Sequence, residues 1–212
     1  MKYSIIFRDD ATRYSWLYFM RKKSESPNAL EQFLADTRKH GPPVIMRSDD
    51  TPQLKDSRFD EICRKHSIKR EFTSANTPQL NGVAERGLTL IDKAAKVSAY
   101  QPKVSFVGMD LPPMHRLWTY SYNNACHMLN CTATTSNKGW TTPYEKWHGV
   151  KPPQTLVQLL QPWFYRINRK NKQEARAKPG FYLGPARNHP RDSMRIYSQE
   201  TGAIVISRDV TW

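Results

Sequence analysis

The chain has 212 residues, enough for one large domain or one domain with a smaller companion. It is 38% hydrophobic and 25% charged, ordinary proportions for a soluble globular protein, and no apolar run reaches the roughly 18–20 residues needed to span a bilayer. The formal net charge of +14 points to a polyanionic partner, nucleic acid first. Three cysteines, Cys63, Cys126 and Cys131, stand at no metal-ligand spacing and are expected to be buried, reduced thiols of an intracellular protein. The apolar part of the N-terminus is too short for a signal peptide.

Residues 2–8 alternate and then run apolar, as a strand does, and the aromatic stretch 14–20 reads as a second strand. Asp9-Asp10-Ala11-Thr12-Arg13 between them is a turn, so the two strands make a hairpin, and on the residues alone Asp9 or Asp10 could be taken for a catalytic acid. A helix is expected from Ser26, as N-cap with Pro27 at the first helical position, to about Lys39, where Gly41-Pro42-Pro43 stops it. A short apolar strand, 44–47, then leads to Asp49. A helix over about 55–66 and a strand over 68–72 follow.

Residues 74–80 are polar, contain Pro78 and read as a loop. The next helix, about 83–99, carries Glu85 in its first turns. Thr89, Asp92 and Lys96 share the Glu85 side, with Arg86 and Lys93 around it. Such a basic stripe suits a phosphate backbone, and Asp92 with Lys96 also makes an ordinary i,i+4 pair. After Pro102 comes an irregular stretch and then a helix over about 113–129, whose His115 and His127 read as helix histidines rather than ligands.

From Pro162 short strands alternate with turns, at 163–167, 180–184, 194–197 and 203–207, predicting a small β-rich module. Arg166, Arg169, Lys170, Lys172, Arg176 and Lys178 cluster between the first two strands, flanked by Trp163, Phe164, Tyr165, Phe181 and Tyr182. The aromatics suit the core of a small barrel, and the cations suit DNA.

Thirty-five residues separate Asp49 from Glu85. A strand-end carboxylate and a helix carboxylate can meet around Mg²⁺ or Mn²⁺, which favour hard oxygen ligands. Arg47-Ser48-Asp49, the strand 68–72, Thr77-Pro78-Gln79 and Asn81-Gly82-Val83-Ala84-Glu85-Arg86 resemble the catalytic core of copia-type retrotransposon integrases, within the DDE, ribonuclease-H-like superfamily. The likeness extends to Phe7-Arg8-Asp9-Asp10-Ala11-Thr12-Arg13-Tyr14, Thr142-Pro143-Tyr144-Glu145-Lys146-Trp147 and Lys178-Pro179-Gly180-Phe181-Tyr182-Leu183-Gly184.

The resemblance implies an α/β fold: a ribonuclease-H-like core lacking its first, central strand (1–101), a helical extension (102–158) and a small β-rich basic module (159–212). It implies Asp49 and Glu85 as catalytic metal ligands for Mg²⁺ or Mn²⁺. Asn81, Arg86, Lys93, Lys96 and the cluster Arg166, Arg169, Lys170, Lys172, Arg176 and Lys178 are the expected DNA contacts. DNA (element ends and target) is the implied partner, with self-association, nuclear location and no membrane contact.

Three departures stand out. The family's first acid, on a strand before 2–8, has no counterpart. Asp49 is followed by Asp50-Thr51 where the family has Asn-Gly, and Gly87-Leu88-Thr89 follows Arg86 where the family is basic and polar. The expected activity is therefore metal-dependent strand transfer in an impaired form. The rival readings are a non-catalytic, domesticated DNA-binding protein and a decayed retroelement fragment.

Overall fold

The structure is a computed structural model and describes residues 1–73, 82–100, 114–153, 156–167, 173, 175–190 and 192–211. In chain order its elements are β1 (Tyr3–Arg8), β2 (Ser15–Met20), α1 (Ser26–Thr37), β3 (Ile45–Asp49), α2 (Ser57–Lys65), β4 (Lys69–Thr73), α3 (Gly82–Tyr100), α4 (Met114–Cys131) and α5 (Pro143–His148). The strands β5 (Pro162–Arg166), β6 (Ala177–Pro185), β7 (Met194–Ser198), β8 (Ile204–Ser207) and β9 (Val210–Thr211) complete it. The chain divides into two compact units, one of Met1–Leu90 with Thr132–Lys151 and one of Ile91–Cys131 with Pro152–Trp212. The loop expected over 74–80 lies outside the described residues.

In the first unit β1 and β2 form the expected antiparallel hairpin, with Tyr3 opposite Met20 and Arg8 opposite Ser15. Its turn is built by Asp9, whose carboxylate accepts from the Thr12 N–H and hydroxyl, both at 2.7 Å. Asp10 pairs with Arg13, which sits at φ 66°. Both acids serve the turn.

The α1 helix starts differently from the expectation. A 3-10 turn, Lys23–Glu25, precedes it, so Ser26 is already helical (φ −57°, ψ −35°) and Glu25 occupies the cap position. Ser26 is therefore not the N-cap. Glu25 Oε2 instead accepts from the Arg21 N–H at 2.8 Å. The α2 helix is capped by Asp56, which accepts from the N–H groups of Arg58 and Phe59 at 2.9 and 3.3 Å.

The strands β3 and β4 run parallel across the α2 crossover, with Asp49 opposite Thr73. Phe7, Tyr18 and Met20 of the hairpin, Leu30, Phe33 and Leu34 of α1, Met46 of β3 and Phe59, Ile62 and Cys63 of α2 share one buried core. Phe7 stacks on Phe33 at 4.5 Å. Among the described residues no ladder joins the hairpin to the β3–β4 pair, so the unit holds two separate two-stranded sheets under one core.

The short α5 helix belongs to the same unit. Thr142 caps it by accepting from the Glu145 N–H at 3.0 Å, Pro143 begins it, and Gly149 (φ 71°) ends it in the left-handed region. Trp147 packs edge-on against Trp16 at 4.7 Å, and Lys146 Nζ donates to the Ala11 carbonyl at 2.6 Å.

The second unit contains residues 91–100 of α3, α4 and an antiparallel sheet of order β8-β7-β6-β5-β9. Ser121 on α4 donates to the Ala95 carbonyl at 2.7 Å. Trp163, Tyr165, Tyr182 and Ile196 are buried together, and Leu117 of α4 packs with Leu159 and Leu183. Four of the five flanking aromatics are thus core, while Phe164 is 40% exposed. A Cβ on Gly180 would lie 2.5 Å from Ile196 Cγ2 and 2.6 Å from the Tyr197 carbonyl oxygen, so the sheet closes only over a bare backbone there.

Candidate functional site

Both acids expected at the catalytic centre belong to the first unit. Asp49 is the last residue of β3, and Glu85 lies in the first turn of α3; both side chains are exposed. A carboxylate in a helix's first turn is favoured by the helix dipole by about 0.3–1 kcal/mol, so Glu85 also has a local structural use. Around Asp49 the surface is strongly paired. Asp50 pairs with Lys55, and Glu71 accepts from Arg47 at 3.1 Å and Lys69 at 3.2 Å. Those two bonds hold the Glu71 carboxyl below its ordinary range.

Carboxylate oxygens are the right donors for a hard divalent ion, and Asp49 and Glu85 are the residues that would hold one. Among the described residues, however, no three His, Cys, Asp or Glu side chains converge as a metal-holding group. The two acids stand on separate elements of one unit, and no reaction step is drawn through a metal held by them.

On α3, Arg86 and Lys93 are exposed. Lys96 is exposed too but is tied to Asp92 at 2.7 Å, and Tyr122 of α4 donates to the same carboxylate. Lys96 first and Tyr122 second hold Asp92 below its ordinary range. The i,i+4 pair therefore forms, and Arg86 and Lys93 are the cations of the stripe outside it. The same helix also exposes Leu88, Leu90 and Val97.

In the β-rich module Arg166 and Arg176 line one cleft of about 790 Å³ with Phe164, Ile167 and Val210. Arg166 faces Asp209 at 3.5 Å, and Lys178 reaches Glu200 at 2.7 Å. Asn81, Arg169, Lys170 and Lys172 lie outside the described residues.

The sequence reading passes over two partly buried arginines. Arg70 on β4 lies between the rings of Phe59 and Phe72, 4.7 and 4.5 Å from their centroids, and bonds Asp60 at 2.6 Å. Arg195 on β7 lies 5.4 Å from the centroid of Tyr120. Only the alternation of each strand hints at burial, and nothing local names the partner ring.

The three cysteines are buried and form no disulfide among the described residues. His127 on α4 is partly buried, with Cys131 Sγ 3.9 Å from Nε2, and burial lowers its pKa. The His115 side chain lies outside those described. No described helix is long and apolar enough to cross a membrane.

The fold is that of an integrase-type α/β protein. A chain of a simian T-cell lymphotropic virus intasome, solved in complex with the PP2A regulatory subunit B56 gamma, matches with a TM-score of 0.54 at 17% identity, over 96% of this chain and 69% of that one. In sequence the chain is 31% identical over 134 residues to the retrovirus-related Pol polyprotein from transposon TNT 1-94 of Nicotiana tabacum. It is 25% identical over 197 residues to that from transposon RE2 of Arabidopsis thaliana. Those alignments take in 61% and 86% of this chain but only 9% and 12% of the relatives' length. No family model matches. In sequence the chain is therefore similar to a short stretch of retrotransposon Pol polyproteins.

Proposed function

We propose that this chain is a DNA-binding, integrase-like region of a copia-type retroelement in which metal-dependent strand transfer is impaired. The observation that supports it is that one compact unit carries both the strand-end Asp49 and the first-turn Glu85, the two acids that the resemblance implies. In the family's reaction a DNA 3′-hydroxyl attacks a target phosphodiester, and divalent ions activate the attacking and leaving oxygens. Asp49 and Glu85 alone would hold such ions weakly.

What remains is electrostatic. A net charge of +14, exposed Arg86 and Lys93 on α3, and the Arg166–Arg176 cleft favour a phosphate backbone over a neutral surface. DNA is the proposed partner, the nucleus the proposed place of action, and self-association the proposed working state.

The test is a strand-transfer assay with labelled DNA ends in Mn²⁺, run beside Glu85→Gln, together with duplex binding measured across salt. The expected result is binding that weakens steeply with salt and no joined products from either protein. Joined products that vanish in Glu85→Gln would overturn the impairment. Binding that is flat across salt would overturn the DNA reading.

A further inference from the structure

The connection between β6 and β7 carries an arrangement that neither the acid pair nor the basic cleft uses. Gly184 sits at a bulge in β6 with φ 111°, a backbone that only glycine adopts readily, and Arg195 is its partner across the ladder. The bulge turns the Pro185 carbonyl onto Arg195, whose Nε and Nη2 both donate to it, at 3.0 and 2.7 Å. The guanidinium is held from another side by the Tyr120 ring of α4.

Every protein group in this grip is neutral. Arg195 makes no ion pair among the described residues, yet it is partly buried and stays charged at any ordinary pH. Burying a cation against a carbonyl and a ring leaves much of its lost hydration uncompensated. Burial, and next the charge of Arg187, both work against the charged form of Arg195. Arg187 is exposed on the same connection, and its Nη2 donates to Asn123 Oδ1 of α4 at 2.9 Å. Asp192, the acid on this connection, is exposed. Both guanidinium groups thus meet α4, Arg195 at the Tyr120 ring and Arg187 at Asn123, and Arg195 is the one short of counter-charge among the described residues.

We infer that Arg195 and Arg187, steadied by Tyr120 and Asn123, form a binding site for a phosphate oxyanion, filled by a backbone phosphate of DNA. Guanidinium groups match phosphate oxygens bidentately, and an arginine already fixed loses little side-chain freedom on binding. The assignment of the phosphate to DNA rests on the reading proposed above; the anion chemistry does not.

Two probes separate the two claims. A short fluorescein-labelled duplex of mixed sequence is titrated against the full chain at several salt concentrations, and inorganic tripolyphosphate is tested for its effect on the melting temperature. Arg187→Gln is the first variant, since its side chain is exposed, and Arg195→Met the second, with folding checked by circular dichroism. The expected result is that Arg187→Gln lowers the magnitude of the log–log salt slope by about 0.9, one phosphate contact, and removes any stabilisation by tripolyphosphate. Wild-type duplex binding with slope and tripolyphosphate response unchanged in Arg187→Gln would overturn the site and leave the DNA reading standing. Stabilisation by tripolyphosphate that needs Arg187, without duplex binding, would support the site and refute the DNA reading.

Discussion

Gly87 offers a sharp test of how α3 meets the first unit. Read from sequence alone, a glycine inside a helix is a weakness, and replacing it with alanine should stabilise the helix by about 0.5–1 kcal/mol. The structure reverses that expectation. Gly87 is buried, and a Cβ placed on it would fall 2.3 Å from Arg8 Nη1 and 2.8 Å from Arg8 Cδ. The terminal nitrogen can swing away, but Cδ sits midway along the side chain, so clearing it moves the whole outer half of Arg8. Overpacking of this kind costs about 1–3 kcal/mol. Set against the propensity gain, Gly87→Ala should lose about 1 kcal/mol net, or about 2–4 °C in melting temperature for a chain of this size.

The decisive comparison is a double-mutant cycle with Arg8→Ala, followed by urea unfolding with unchanged m values. In the Arg8→Ala background the obstruction is gone, and Gly87→Ala should stabilise by about 0.5–1 kcal/mol. A change of sign between backgrounds is the signature of the contact. If Gly87→Ala stabilises both backgrounds equally, Arg8 does not lie against α3 and the packing argument fails.

Stability should fall on the alkaline side. Burial pushes Cys131 up to about 11, and burial first, with the Asp92 hydrogen bond second, pushes Tyr122 up to about 12. Both folded values lie above the unfolded ones, so the stability they contribute is intact below about pH 9 and is lost as pH rises towards 12; urea midpoints across that range would show it. His127 works in the opposite sense. Burial lowers its folded pKa, so its contribution is present above its unfolded value near 6.5 and fades as pH falls below it. Replacing His127 with glutamine should flatten the acid limb. The buried thiols of Cys63, Cys126 and Cys131 should resist an aromatic disulfide reagent until urea unfolds the chain, and fast labelling of the native protein would contradict their burial. Thr142→Ala removes the α5 cap and should cost about 1 kcal/mol, checked by the same unfolding curves.

The elements that sequence periodicity revealed are those that rest on many residues. The hairpin, α1, α2, α3, α4 and the four longer strands of the module fall within a few residues of expectation because each repeats its pattern over at least two turns or alternations. α5 escaped because its run from Pro143 to His148 is too short for a periodic signal, although Thr142, Pro143 and Glu145 together spell a helix start. β9 is shorter still. Ser26 misled because the 3-10 turn before it takes over the start of the helix. Aromatic spacing separated core from surface well in the module, with Phe164 the exception. What no local pattern could show is which distant group meets which: Arg8 with Gly87, Tyr122 with Asp92, Arg195 with Tyr120. Each joins elements far apart in sequence, and chain topology alone brings them together.

The division of the first unit into a hairpin and a parallel pair bears on how it opens. In a continuous sheet, a strand's amides are protected by its neighbours, and opening one end strains the whole ladder. Among the described residues the ladders of β1–β2 and of β3–β4 are separate, and side chains of both pairs pack into one core with α1 and α2. Each pair is a local unit with its own opening free energy, so amide exchange in the hairpin and in the parallel pair should report two separate openings. The carboxylate of Asp49 rides on the second of them. Its position therefore follows the stability of the βαβ unit from Ile45 to Thr73, and the shared core is one route by which a mutation that loosens the hairpin reaches it.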